Sequence, residues 1–530
     1  MLSIQNISYL HQDKHLLFEN ISLAVNQNDK TALIGNNGSG KSTLLKIIAG
    51  SLEVSEGRVD IDSTPYYVPQ IFGQYNHLTV AEALKVDQKL DALNQIFIGN
   101  VAEELYSILN DDWTIEERCK QALDTWQLQE VDLMQKLETL SGGQKTRVFL
   151  AGITLHNPDF ILLDEPSNHL DTDGRQLLYD FIANSTATLL VVSHDRSLLN
   201  LVDTVCELSK NGISSYGGNY SFYLEQKQNG INALHQDVLS KEKALRKARE
   251  KKRETLERQQ KLDNRGKRKQ QKAGVARIMM NTLQNNAEKS SSKIRDVHTG
   301  KIDGIATDLQ TLRASLTDLD KIKFEFNQSI LHKGKVFFNA EQINYRYADQ
   351  FLWKENLSLK IYSGDRIALR GANGSGKTTL IRIIMNVITP VTGTVSLADH
   401  KVIYIDQDYS LIKDRLNVYE QAQQFNVSAI PEHEIKIRLS RFLFTRDDWD
   451  KPCSALSGGE KMRLALCVLN MSNQAPDLII LDEPTNNLDI PNIEILTAAI
   501  NGYQGTLIAV SHDISFLNAI GVERFIKLKG

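Results

Sequence analysis

A chain of 530 residues is too long for one hydrophobic core, so two or three domains are expected. Its 41% hydrophobic and 24% charged residues exclude a disordered chain, and its longest apolar runs, such as residues 189–192, fall far short of the ~20 that a membrane span needs. The net charge of −4 hides a strong local imbalance, and Cys119, Cys206, Cys453 and Cys467 have no paired spacing, which argues against zinc and for free thiols in a reducing cytoplasm. The opening MLSIQNISYL has no basic region or cleavage site, so no secretory signal is expected.

In chain order, Tyr9 comes first, well ahead of Gly35, which opens Gly35-Asn36-Asn37-Gly38-Ser39-Gly40-Lys41-Ser42-Thr43. An apolar strand at 31–34 precedes this run and a helical stretch at 43–48 follows it. A phosphate loop needs that setting: glycines let backbone N–H groups turn inward, and a helix start adds a favourable dipole. Lys41 is placed to neutralise phosphate and Ser42 to hold Mg²⁺. Gln70 ends a short β-like run. Leu140-Ser141-Gly142-Gly143-Gln144 follows, then the apolar strand Phe160–Asp164, then Glu165. A carboxylate at the end of a strand can reach Mg²⁺, and the next can orient or deprotonate water. His194, after another apolar strand, is placed for the terminal phosphate or that water.

The residues from about 218 to 327 contain no proline. Leu224, Ile231, Leu234, Val238, Leu245 and Ala248 form one apolar helical stripe. Ile302, Ile305, Leu309, Leu312, Leu316 and Leu319 form another, and the two suit an antiparallel hairpin. A helix over 218–262 would be ~65 Å long. Asn264, Gly266 and Gly274 interrupt the pattern, so the apex is expected within 263–298. Between Lys241 and Arg277 stand 16 Lys/Arg and 5 Asp/Glu, a net of +11, leaving −15 for the rest. A basic projection on an acidic body suits nucleic acid. The competing reading is a solvated lysine-rich face on which Glu250, Glu254 and Glu257 make i,i+4 pairs.

The remainder repeats the first motif set. Tyr345 precedes Gly371 by the same interval that separates Tyr9 from Gly35, and Gly371 opens Gly371-Ala372-Asn373-Gly374-Ser375-Gly376-Lys377-Thr378-Thr379. Then come Gln407, Leu456-Ser457-Gly458-Gly459-Glu460, Leu478–Asp482 followed by Glu483, and His512. The interval from Asp164 to His194 also equals that from Asp482 to His512. Equal spacing points to one α/β P-loop fold used twice, with a parallel sheet in each copy. The expected domains are 1–220, 221–327 and 328–530. One interval differs: the stretch from Gln70 to Leu140 is longer than that from Gln407 to Leu456. The excess, about twenty residues, falls at about 75–115, as a surface insertion or a contact arm.

This order of motifs resembles the ATP-binding cassette superfamily. Tandem cassettes without a transmembrane segment, joined by a long charged helical linker, resemble its ABC-F family. The resemblance implies an ATPase that binds ATP and Mg²⁺ at two sites. Each site pairs one cassette's phosphate loop with the other's signature: Ser141, Gly142 and Gly143 close over ATP at Lys377, and Ser457, Gly458 and Gly459 over ATP at Lys41. It assigns Glu165, Glu483, His194 and His512 to catalysis, and Ser42, Gln70, Asp164, Thr378, Gln407 and Asp482 to the metal. Tyr9 and Tyr345 become adenine-stacking candidates, with Tyr347 a competitor and a plain core role the alternative. Glu460 departs from the more common glutamine. The implied setting is a cytoplasmic monomer on the 70S ribosome, with no membrane partner. It binds the E site and reaches the P-site tRNA and rRNA of the peptidyl transferase centre, as translation factor or antibiotic-resistance protein. An exporter subunit and a nucleic-acid-repair ATPase are the alternatives from other classes.

Overall fold

The computed structural model describes the chain except for residues 12–15, 71–72, 210–211, 273–291, 293–295, 314–333, 349, 373, 399–400, 427–428, 472–475 and 529–530. The chain divides into two compact units. One comprises Met1–Ser221 with Lys321–Gly530, and the other is Phe222–Asp320.

The first unit contains both cassettes. In the N-terminal half, a six-stranded sheet runs in the order Tyr66–Val68, Phe160–Asp164, Thr188–Val192, Lys30–Ile34, Thr204–Ser209, Gly212–Tyr216. All its pairings are parallel except the last. Every residue of Phe160–Asp164 and Thr188–Val192 is buried, as expected of parallel strands covered on both faces. The C-terminal half repeats this with five parallel strands: Val402–Ile405, Leu478–Asp482, Thr506–Val510, Arg366–Arg370 and Arg524–Lys527.

Each half also carries a three-stranded antiparallel sheet, built on Leu2–Leu10 in the first and Val336–Asn344 in the second. These add to the parallel sheets that the motif pattern implies. Their strands alternate buried and exposed residues, the mark of a sheet with one solvated face. Helices Asp87–Phe97 and Glu103–Leu109 occupy the stretch where the first half is longer. The four cysteines are buried and unpaired. Among the described residues, no helix is long and apolar enough to cross a membrane.

The helix Tyr220–Lys272, which belongs to the second unit from Phe222 onward, is 53 residues long, ~80 Å at 1.5 Å per residue. It continues through Asn264 and Gly266, which sequence reading takes as interruptions. A helical glycine costs only ~0.5–1 kcal/mol relative to alanine, and the lysines, arginines and glutamines around it propagate a helix well. Gly274 and most of the expected apex, including Val275 to Met280, lie outside the described residues, as do Leu316 and Leu319. A second helix covers 296–313. Lys241 bonds Asp308 at 2.7 Å, Arg313 bonds Glu242 at 2.5 Å and Lys252 bonds Thr299 at 2.8 Å. From residues 241 and 242 to residue 252 of one helix, the partners on the other fall back from 308 and 313 to 299, so the pair is antiparallel. Val238 and Leu309 are buried, while Leu224 is exposed. Arg246 pairs with Glu250 and Arg253 with Glu257, one turn apart.

Candidate functional site

Each phosphate loop joins a buried central strand to a helix. Lys41–Ile48 and Lys377–Ile384 begin directly after Gly40 and Gly376, whose φ values of 97° and 90° are left-handed. A side chain at Gly40 would also come within 2.8 Å of Phe18, and one at Gly376 within 2.6 Å of Leu352. Glycine is therefore required twice over, by conformation and by space. The Lys41 Nζ donates to Gly35 O at 2.8 Å and Asn36 O at 3.1 Å; Lys377 does the same to Gly371 O at 2.7 Å and Ala372 O at 3.1 Å. Asn373 lies outside the described residues.

Ser42 Oγ donates to Asp164 Oδ1 at 3.0 Å, which joins two of the expected metal-binding groups. Tyr67 donates to the other oxygen of Asp164 at 3.2 Å, and Tyr404 to Asp482 at 2.8 Å. Sequence reading missed both tyrosines, although they hold matching positions shortly before Gln70 and Gln407. Glu165 and Glu483 adopt left-handed φ values of 50° and 48°. Each donates its backbone N–H to the neighbouring strand, Val192 O or Val510 O, at 2.8 Å. That anchor sustains a strained turn, which aims the carboxylate. His194 Nε2 lies 3.5 Å from Glu165, and His512 Nε2 lies 3.4 Å from Glu483.

Burial controls the ionisation of these groups. It pushes Glu165 well above the usual carboxylate range, against the pull of the Lys41 ammonium, and raises Glu483 to about 7. It lowers His194 to about 3 and His512 to about 4, so both imidazoles are neutral at physiological pH. Lys41 and Lys377 are also depressed by burial. Among the described residues, Ser39 Oγ, Glu165 Oε1, His194 Nδ1, Ser375 Oγ and both Glu483 carboxylate oxygens are buried without a hydrogen bond. Orphaned polar atoms are costly. Gathered at the phosphate loops, they fit a nucleotide and its attacking water as their partners. Ser42 and Asp164 fit Mg²⁺, which takes one or two protein groups besides phosphate and water.

The halves meet head to tail. A cavity of about 560 Å³ beside Lys41 is lined by its own Gln70, Glu165 and His194 and, from the other half, by Gly458 and Asn487. Asn37 donates its backbone N–H to Asp489 at 2.9 Å and its side chain to Asn487 O at 3.0 Å. At the second site, Thr172 Oγ1 lies 3.2 Å from His512 Nδ1, and the Asp171 charge acts on Lys377. Ser141 and Ser457 cap the signature helices through reciprocal bonds with Gln144 and Glu460. Glu460 thus does the work of the glutamine it replaces, and it also pairs with Lys451 at 2.8 Å.

Tyr9 packs on the core with its ring edge against His11, and His11 itself lines the cavity. Tyr345 likewise packs on its core, whereas the exposed Tyr347 reaches Thr379 Oγ1 at 3.1 Å. Gln407 is exposed. His11 and Tyr347 occupy matching positions just beyond the paired tyrosines, a register that the sequence contains.

Two P-loop cassettes facing head to tail define an ATP-binding cassette ATPase. The ABC transporter family model matches residues 18–168 and 354–486. The chain is 30% identical to ABC transporter F family member 5 of Arabidopsis thaliana, over 100% of this chain and 75% of that one. It is 32% identical to the putative ATP-binding protein YdiF of Bacillus subtilis, over 95% and 76% of the two chains. The ATP-binding protein Uup of Haemophilus influenzae is 30% identical, over 99% and 78%. Among solved structures, the archaeal ribosome recycling factor aABCE1, in complex with a ribosomal stalk protein, shares the fold with a TM-score of 0.61. It is 20% identical, over 99% of this chain and 87% of that one. The chain belongs to the ABC-F family of tandem-cassette ATPases.

Proposed function

We propose that this ATPase works in the cytoplasm on the ribosome, as a monomer whose two cassettes close on each other around ATP. The observation that carries the reading is the basic hairpin. Lys243, Arg246, Lys247, Arg249, Lys251, Arg253, Arg258 and Lys261 are exposed, on a helix whose apolar residues Val238 and Ala248 turn away from solvent. The i,i+4 pairs with Glu250 and Glu257 neutralise only two of those charges, so the surface stays basic enough to attract phosphate backbone. Similarity to an F-family relative and to a ribosome recycling factor of the same fold supports the same direction. By family resemblance, the bound state occupies the E site and the hairpin acts on the P-site tRNA near the peptidyl transferase centre. Antibiotic protection is a narrower form of this reading.

In the ATPase cycle, the phosphate loops wrap the nucleotide and Lys41 and Lys377 offset its charge. Ser42 with Asp164, and Thr378 with Asp482, would hold Mg²⁺, which would supply neutralising charge to the phosphate oxygens. Glu165 and Glu483 orient water and accept its proton, and His194 and His512 hold the water and the terminal phosphate. The signature serines Ser457 and Ser141 complete the sites of the opposite cassette. Hydrolysis removes the phosphate that joins the halves, and the cassettes part.

The test is co-sedimentation of the Glu165→Gln/Glu483→Gln protein with 70S ribosomes. ATP-dependent binding, with hydrolysis lowered ~10²–10⁴-fold, is the expected result. ATP binding without ribosome binding would overturn the assignment. Unchanged drug tolerance on expression in a susceptible strain would remove the antibiotic form alone.

A further inference from the structure

Among the described residues, the seam between the two ATP sites draws its buried positive charge from one half. Arg175, in the helix Thr172–Asn184, is 8% exposed. Its Nε donates to Leu170 O at 3.3 Å and its Nη1 to Asp195 Oδ2 at 3.4 Å. Tyr179 donates to the same Asp195 oxygen at 2.5 Å. Asp195 directly follows His194, and its other oxygen caps the helix Arg196–Leu199. Across the seam Asp513 directly follows His512 and caps Ile514–Ala519. Arg175, Asp195 and Asp513 line one small cavity together with Glu165, His194 and Ile493. The field of Arg175 reaches both Asp513 and Glu483.

The repeat shows what is missing opposite. Laying Asp164 on Asp482 brings His194 onto His512 without a gap. The same superposition lays Arg175 on Ile493, Tyr179 on Thr497 and Arg196 on Ile514. Asp195 and Asp513 are kept in both halves, but the groups that compensate them occur in one. Two half-buried carboxylates therefore share the charges of the first cassette. Arg196 adds a second link across the seam, lying 3.6 Å from Glu494.

We propose that Arg175 is a cross-cassette positioning residue: it clasps Asp195 and Asp513, and so fixes the loops bearing both histidines when the cassettes close. The clasp exists only when the halves meet, because Asp513 comes from the other half. Its loss leaves two carboxylates facing one another in a site of low dielectric, which disfavours closure. The inference rests on reading His194 and His512 as catalytic. Glu165→Gln/Glu483→Gln tests that site independently: full hydrolysis there defeats the site assignment, whatever Arg175 does.

The experiment compares Arg175→Met, Arg175→Lys, Asp513→Asn and Arg175→Met/Asp513→Asn in the full chain, by ATP dependence of hydrolysis and thermal melting. A closed state made rarer demands more ATP, so Arg175→Met is expected to raise the half-saturating ATP concentration about tenfold with a smaller change in kcat. Arg175→Lys restores part of the loss. Asparagine keeps the helix cap and removes the repulsion, so the double variant returns to within about threefold of the parent. Wild-type ATP dependence in Arg175→Met overturns the proposal. So does a double variant that melts like the parent yet stays as impaired as Arg175→Met. If neither Arg175→Met nor the double variant folds, Arg175 is a packing residue and the proposal fails.

Discussion

Asp489 serves two structures at once, and substitution separates them. It is buried, and its Oδ1 accepts from Asn492 N at 3.1 Å and Asn492 Nδ2 at 2.6 Å, capping the helix Ile490–Gly502. Its Oδ2 accepts the backbone N–H of Asn37, in the other cassette's phosphate loop, at 2.9 Å. Asp489→Ala removes both interactions. Loss of the cap costs ~1 kcal/mol, a fall of about 2–4 °C in Tm for a domain of this size. The bond to exposed Asn37 is replaceable by water, so its loss costs about 1 kcal/mol, roughly fivefold in the closing equilibrium. The half-saturating ATP concentration should rise by a similar factor. Asp489→Asn retains the cap through its one remaining oxygen, but turns an amide NH2, which cannot accept, towards the Asn37 N–H, so Tm holds while the ATP requirement rises by a similar factor. The checks are thermal melting without nucleotide and an ATP titration of steady-state hydrolysis. If Asp489→Ala lowers Tm but leaves the ATP requirement unchanged, the head-to-tail bond contributes nothing to closure and the reasoning fails.

Burial would raise Asp112, but hydrogen bonds from Lys89 and Arg118 outweigh it and hold the carboxyl below its usual range. A depressed folded-state value stabilises above the unfolded pKa of ~3.9 and loses that contribution as pH falls through the folded value. Asp112→Asn should therefore lower Tm at pH 7, with the gap to the parent closing below about pH 4; a constant gap argues against the ion pairs. Val238→Asp puts a charge at a buried position of the hairpin. A cost of about 2 kcal/mol or more should make the hairpin at least tenfold more sensitive to limited proteolysis, and an unchanged cleavage rate contradicts the pairing. Lys451→Met leaves Glu460 uncompensated at a signature helix. It should raise the ATP requirement severalfold, and Glu460→Gln in the same chain should reverse this; no reversal assigns the loss to Lys451 itself.

Chemistry that depends on adjacent residues is legible in the sequence. Gly40, Lys41 and Ser42 act through one turn of backbone, and Asp164 with Glu165 through a single strand end, so spacing alone locates them. Groups joined only by the fold are not legible. Tyr67 and Asp164 are far apart in the chain yet bonded, and Arg175 gains its meaning from Asp513, in the other half. The helix past Gly266 is misread for a different reason. Glycine is a local penalty of ~1 kcal/mol, and a long run of strong helix formers absorbs it. Tyr9 and Tyr345 are marked by equal spacing, but equal spacing reports the repeat, not the face a side chain takes.

Duplication explains where the halves diverged. The first ATP site joins one half's phosphate loop, glutamate and histidine to Gly458 of the other half's signature, and the proposed cycle gives the second site the same plan. A change in the chemical groups would disable a site outright, and Lys41 and Lys377, Asp164 and Asp482, Glu165 and Glu483, His194 and His512 remain matched. Seam residues carry no such constraint, because either half can supply a shared charge. Arg175 faces Ile493 across the repeat, Gln144 faces Glu460, and His11 faces Tyr347. One guanidinium suffices for Asp195 and Asp513, and a second would bury surplus charge at a cost of several kcal/mol. Asymmetry at the seam is therefore the expected result of fusing two cassettes into one chain, since each half now meets a fixed partner and not a copy of itself.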